Sequence, residues 1–155
     1  MENRHIISVI VQNESSVLPR ISGLFSGRGY NIETLTVAPI PDSSYSRLTI
    51  KTFGNDKVME QIVKQLNKLI PVLKVVESSE MVEKEMVLVK VPIEESLSDV
   101  DALSRAYNGK IVNVGSDSII CMVADEPTRV NYFLKAIKKY NPKEIVRGGI
   151  VAIER

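Results

Sequence analysis

Residues 5–38 read HIISVIVQNESSVLPRISGLFSGRGYNIETLTVA, and the folding of this stretch decides the architecture of the whole chain. HIISVIV (5–11) is short, rich in β-branched residues and reads as a buried strand. From residue 17 the apolar period changes. Val17, Leu18, Ile21, Leu24 and Phe25 fall at i, i+1, i+4, i+7 and i+8, while Ser22, Gly23 and Ser26 stay off that stripe. The spacing predicts a helix with one apolar face, and Pro19 is tolerated in its first turn, where backbone amides have no helical acceptor. Gly23 and Gly27 read as points of close packing or as the helix end, and Gly29 as a positive-φ residue in the turn to Tyr30. NIETLTVA (31–38) alternates with period two, so the stretch is strand, helix, strand.

The pattern continues in the same style. SRLTIKTF (46–53) alternates again and is separated from its predecessor by the turn-rich PIPDSSY, which predicts an antiparallel hairpin. Asn55 and Asp56 are candidate caps for a second helix with Val58, Met59, Ile62, Leu66, Leu69 and Ile70 on its stripe; Pro71 ends it before the strand VLKVVES (72–78). After a charged, weakly patterned link at Glu80–Lys84 the order restarts with EMVLVKV (85–91), closed by Pro92. Ser98-Asp99-Val100-Asp101 resembles a capping box for a helix carrying Val100, Leu103 and Tyr107, with Gly109 as its stop. KIVNV and SIICMVA, joined by Gly115-Ser116-Asp117, form a second hairpin. Asp125-Glu126-Pro127-Thr128 opens a helix that buries Val130, Phe133, Leu134, Ile137 and Tyr140, with Lys135, Lys138 and Lys139 suited to its C-terminal dipole. EIVRGGIVAIE (144–154) is the last strand, with a β-bulge at Arg147-Gly148-Gly149. The expected fold class is α+β: two ferredoxin-like βαββαβ domains, at residues 1–79 and 80–155. Such units carry helices on one sheet face only, so the other face and the edges need cover, and dimerisation is the simplest way to supply it.

Composition narrows the function. Of the 155 residues 44% are hydrophobic, and 20 basic residues balance 19 acidic ones. That balance lacks the electrostatic footprint of a nucleic-acid or anionic-membrane binder, so no nucleic acid and no membrane are expected as partners. Apolar runs are too short for a span, and Met1-Glu2-Asn3-Arg4 leads straight into an alternating strand, so a cytoplasmic protein is expected. Cys121, the single cysteine, reads as a small core residue in IICMVA, and His5, the single histidine, as an ordinary strand-entry residue. Metal-ligand spacing is absent, with no H-x-x-x-H or C-x-x-C. The acidic residues of Glu77–Glu85 and Glu94–Asp101 are interleaved with Lys and Ser and read as solvated surface, not as an acid/base pair. The glycines of SGLFSGRG lie inside and at the end of a helix, where a phosphate loop would need them before its start.

One stretch keeps two readings. Asn13 to Val17 join a strand to a helix N-terminus, whose unpaired amides and dipole favour a carboxylate. Asn13, Ser15 and Ser16 serve equally well as plain helix caps.

NESSVLPRISGLFSGRGYNIETLTVAPIPDSSYSRLTI resembles the opening ACT domain of acetolactate synthase (acetohydroxyacid synthase) small subunits, with SGLFSGRGYNIETLTVAP the most specific part; the likeness runs on through VMEQIVKQLNKLIPVLKV and EKEMVLVKV and covers essentially the full chain. The resemblance implies a regulatory protein with no active site of its own. Such a protein binds the thiamine-diphosphate catalytic (large) subunit, raises its activity and transmits feedback inhibition by valine or a related branched-chain amino acid. No cofactor is then expected on this chain, whereas the partner is expected to use thiamine diphosphate, Mg and FAD. The resemblance also implies a homodimer with the effector between two ACT domains: Asn13, Ser16, Val17 and Leu18 from one chain, Asn31 and Ile32 from the other. The family's usual pattern is Asn-x-x-Gly-x-Leu, whereas Ser16 stands here in place of glycine. A Cβ and hydroxyl there are expected to narrow the pocket or alter the loop, which bears on valine sensitivity. The alternatives are a free-standing ACT-type sensor acting on another protein and an enzyme in its own right using Glu94–Asp101 or Cys121.

Overall fold

The computed structural model describes residues 2–155. Its elements follow the order β1 (Asn3–Gln12), α1 (Val17–Ser26), β2 (Ile32–Pro39), β3 (Tyr45–Gly54), α2 (Asp56–Lys68), β4 (Val72–Glu77), β5 (Met81–Pro92), α3 (Leu97–Ala106), β6 (Gly109–Val114), β7 (Ser118–Asp125), α4 (Pro127–Ile137), β8 (Glu144–Arg147) and β9 (Val151–Glu154). The sheets have the orders β2-β3-β1-β4 and β6-β7-β5-β8, with β9 paired to β5. Each order is the 2-3-1-4 arrangement of a ferredoxin-like unit, so the expected α+β architecture holds in both halves.

In the first unit, the antiparallel register sets Ile7 against Ile50 and Val9 against Leu48. These side chains face α1 and α2, which bury Val17, Ile21 and Phe25, and Met59, Ile62 and Leu66, in one core. Burying a Phe or Ile this fully contributes about 1.5–3 kcal/mol each. Gly27 closes α1, its amide donating to the Gly23 carbonyl, and Gly29 takes φ 76° in the turn to β2. A Cβ on Gly23 would meet nothing within 4 Å, so close packing does not account for that glycine. The α2 stripe stops short of its expected end. The helix terminates at Lys68, and Ile70 is 91% exposed. In the second unit, Val87, Val89, Val91, Ile119, Cys121 and Val123 pack with Val100, Val130, Phe133 and Ile137.

Four local expectations give way. The segment expected as a link at Glu80–Lys84 is mostly strand, because the period-two burial of Met81, Glu85, Val87 and Val89 carries β5 back to residue 81. The cap of α3 is Ser96, whose hydroxyl accepts from the Asp99 amide, so the helix starts earlier than a cap at Ser98 would allow. Its stop is Asn108 at φ 60°, not Gly109. Gly109 is needed for space: a Cβ there would lie 2.2 Å from the Met122 carbonyl oxygen.

The final strand expected at 144–154 is broken. Gly148 donates its amide to the Met86 carbonyl, and the chain then leaves the strand until Val151. The consequence is long-range. Against the expected 1–79 and 80–155 halves, one compact unit runs to Val82 and also takes in Ile150–Arg155, while the other is Glu83–Gly149. Ile150 and Ala152 pack with Met81, Ile6 and Val76. Ile6 alternates with the core residue Ile7, so the chain's own end covers part of the helix-free face of the first sheet.

Candidate functional site

The β1–α1 loop is fastened on both sides. The Gln12 amide donates to the Pro71 carbonyl at 2.8 Å and the Asn13 amide to the Ser44 carbonyl at 3.0 Å. Ser16 heads α1 at φ −82°, ψ −10°, makes no side-chain capping bond, and no acidic residue stands in the first turn. The Val17 amide donates to the Glu14 carbonyl at 3.3 Å, and the positive end of the helix otherwise carries no side-chain cap and no acidic residue. Beside it Asn13, Val17 and Leu18 line one small cleft of about 50 Å³ together with Glu14, Val37 and Leu48. Leu18 is 39% exposed and Val37 48%, so the cleft has an apolar wall facing outward. A cleft of this size is a fraction of the usual small-molecule pocket.

Ser16 does not line the cleft. Its φ is negative, so a Cβ is accommodated without strain and glycine is not required by the backbone.

Asn31 and Ile32 lie elsewhere in the same chain. Ile32 opposes Thr52 and Thr52 opposes His5, whereas Asn13 lies eight residues farther along the chain. At the usual rise per residue the two groups stand about 26 Å apart, at opposite ends of the sheet. Asn31 borders an open hollow with Gly29, Tyr30, Glu33 and Phe53. Ile32 is half-buried and packs on its own unit's core. Thus Asn13, Val17 and Leu18 come together within one chain, and Asn31 and Ile32 do not join them there.

The second unit repeats the topology but closes the equivalent position. The Ser96 hydroxyl holds the Asp99 amide at 3.3 Å, and Asp99 places a negative charge in the first turn of α3. The cap and the acidic side chain both disfavour an incoming carboxylate there.

Sequence reading passed over Glu14, a wall of the cleft, and Thr52. The latter is fully buried, and its Oγ1 donates to the Asn31 carbonyl at 2.7 Å. In sequence it is one more residue of an alternating strand, with no signal to set it apart. Asp125 is another such residue. Its buried carboxylate accepts from Arg129 at 2.5 Å, from Asn108 at 3.2 Å and from the Glu126 amide at 2.8 Å. Burial alone would push this carboxyl up. The Arg129 guanidinium, the Glu126 amide and the Lys84 ammonium outweigh it and hold the carboxyl below its ordinary range.

The remaining candidates for chemistry are structural. Burial pushes the Cys121 thiol up, and the side chain lies in the second core. His5 is buried within β1, its Nε2 3.2 Å from Asp56 and its Nδ1 3.3 Å from Glu77. Among the described residues no group of three or more His, Cys, Asp or Glu is placed to hold a metal, and no helix is long and apolar enough to cross a membrane.

Residues 7–74 match the AHAS small subunit-like ACT domain, and residues 84–155 match the family described as small subunit of acetolactate synthase. The acetolactate synthase small subunit of Buchnera aphidicola is 44% identical, covering 98% of this chain and 99% of its own. The isozyme 3 small subunit of Escherichia coli is 41% identical over 98% of this chain and 96% of its own. The crystal structure of the Thermotoga maritima small subunit superposes with a TM-score of 0.88 at 34% identity, covering 99% of this chain and 98% of that one. With an ACT unit matched at one end, the small-subunit family matched at the other, and identities above 40% from end to end, the chain belongs to the acetolactate synthase small-subunit family.

Proposed function

We propose that this chain is a non-catalytic regulatory subunit that activates the catalytic subunit of acetolactate synthase and transmits feedback inhibition by valine or a related branched-chain amino acid. The observation that carries the amino-acid site is the uncapped N-terminus of α1 above the Asn13, Val17 and Leu18 cleft, against the capped start of α3. Backbone amides at Ser16 and Leu18 take the effector's carboxylate, that of Val17 being engaged with the Glu14 carbonyl, and Val17, Leu18 and Val37 take its branched side chain.

The second wall comes from a second copy. β2 is the outermost strand of its sheet, and antiparallel pairing of two such edges around a two-fold axis sets the Asn31 end of one β2 beside the Val37 end of the other. This reading supports a homodimer with two sites, each taking Asn13, Ser16, Val17 and Leu18 from one chain and Asn31 and Ile32 from its partner. The catalytic subunit carries thiamine diphosphate, Mg and FAD, and this chain none; the assembly works in the cytoplasm.

The test is the rate of acetolactate formation from pyruvate by the catalytic subunit, with and without this chain, under titration with valine, leucine and isoleucine. A higher rate that one of the three suppresses is expected. No stimulation would overturn the regulatory reading, and capture of a different enzyme or a transcription factor in its place would favour an independent sensor.

A further inference from the structure

Resting on the amino-acid site just described, we propose that Thr52 is the positioning residue that sets the Asn31 half of that site. The turn leading into β2 is fastened at several points. Gly29 stands at φ 76°, the Tyr30 amide donates to the Phe25 carbonyl at 3.0 Å, and the Tyr30 hydroxyl accepts the Asn55 amide at the head of α2. Directly after it the β2–β3 ladder slips. Ile32 opposes Thr52 but Thr34 opposes Lys51, so Glu33 is an extra, bulged residue, and it is tied to Lys51 at 3.2 Å. A bulge re-aims the residues on its flank.

Asn31 sits on that flank, before the strand begins, and its carbonyl is held by the Thr52 hydroxyl. Thr52 is completely buried and its Cα faces both Ile32 and His5 across the sheet, so this hydroxyl has one fixed direction. Removing it frees the Asn31 carbonyl to turn, and the Asn31 side chain turns with it. Thr52 thus acts on the effector through Asn31 without touching the effector itself.

The experiment measures calorimetric binding of valine, leucine and isoleucine to the full chain, alongside its thermal midpoint, for Thr52→Val, Thr52→Ser and Asn31→Ala. Thr52→Val keeps the volume and loses the donor, so affinity for the best-bound amino acid is expected to fall about tenfold. Thr52→Ser keeps the donor and is expected to stay within about twofold of the unaltered chain, although it loses a buried methyl and melts lower. That ordering separates positioning from packing, because a packing role would make the serine variant the weaker binder. If Thr52→Val does not fold, Thr52→Cys, with a weak S–H donor, takes its place and must bind more weakly than Thr52→Ser. Unchanged binding in the donor-deficient variant while Asn31→Ala abolishes it overturns the role of Thr52 and leaves the site standing. Unchanged binding in Asn31→Ala, or no binding of any of the three amino acids by the unaltered chain, overturns the site and the role together.

Discussion

The Ser96 hydroxyl accepts the amide of Asp99 and seals the start of α3, whereas Ser16, at the equivalent place in the first unit, caps nothing. Two copies of one topology are therefore finished differently at a single helix end. The open copy is the one with an apolar cleft beside it.

Ser16→Asp places a carboxylate on that open end. It is expected to abolish amino-acid binding by occupying the effector's place, and at the same time to stabilise the free chain by about 0.5–1 kcal/mol through capping and the helix dipole. Calorimetry and a thermal melt read the two opposed effects. Ser16→Gly, at a negative φ and away from the cleft lining, is expected to leave binding within about twofold.

Ser96→Ala removes the cap that α3 does have. A loss of about 1 kcal/mol in the second unit, without a change in amino-acid binding, is expected from denaturant unfolding and calorimetry.

Ile150→Ala tests the chain's return to the first unit. Ile150 is fully buried against Ile6 and Met81, and truncating it is expected to cost about 2–5 kcal/mol. Amide exchange should rise in β1 and β4 and stay low in β7 and α4. Loss of protection confined to Glu83–Gly149 would contradict the assignment of residue 150 to the first unit.

Asp125 makes the second unit acid-sensitive. Its carboxyl titrates lower folded than unfolded, so its contribution is fully present above the unfolded value of about 3.9 and is lost as pH falls through the lower folded value. Asp125→Ala leaves Asn108, the Glu126 amide and Arg129 without their acceptor and is expected to cost about 1–3 kcal/mol near pH 7. Unfolding midpoints from pH 7 to pH 2.5 should converge for the two proteins as the pH drops.

Much of this was legible from periodicity. The switch from period two to the helical stripe at Val17–Phe25, and its repetition after residue 85, marked two βαββαβ units and the order of their elements along the chain. What escaped depends on contacts distant in sequence. Glu85 looks like a solvated residue of an acidic link, yet it is buried with Arg147 as its partner, 62 residues away. Ile150 looks like a continuation of β8 and instead completes a cluster around Ile6. In the site, Asn13, Val17 and Leu18 are neighbours on the chain and were read together. Thr52 was missed because alternation assigns it to a face without revealing the carbonyl its hydroxyl meets.

A mixing experiment bears most directly on the central claim, an amino-acid site shared between two chains. Ser16→Asp damages one half of each site and Asn31→Ala the other, so neither variant alone should bind valine or let it inhibit the reconstituted enzyme. When the two are unfolded together and refolded in equal amounts, half the dimers are mixed and each mixed dimer holds one undamaged site. About a quarter of the unaltered protein's binding capacity should then return, at unaltered affinity. Mixtures that stay as inactive as their components would contradict a shared site, and so would either variant binding valine normally on its own.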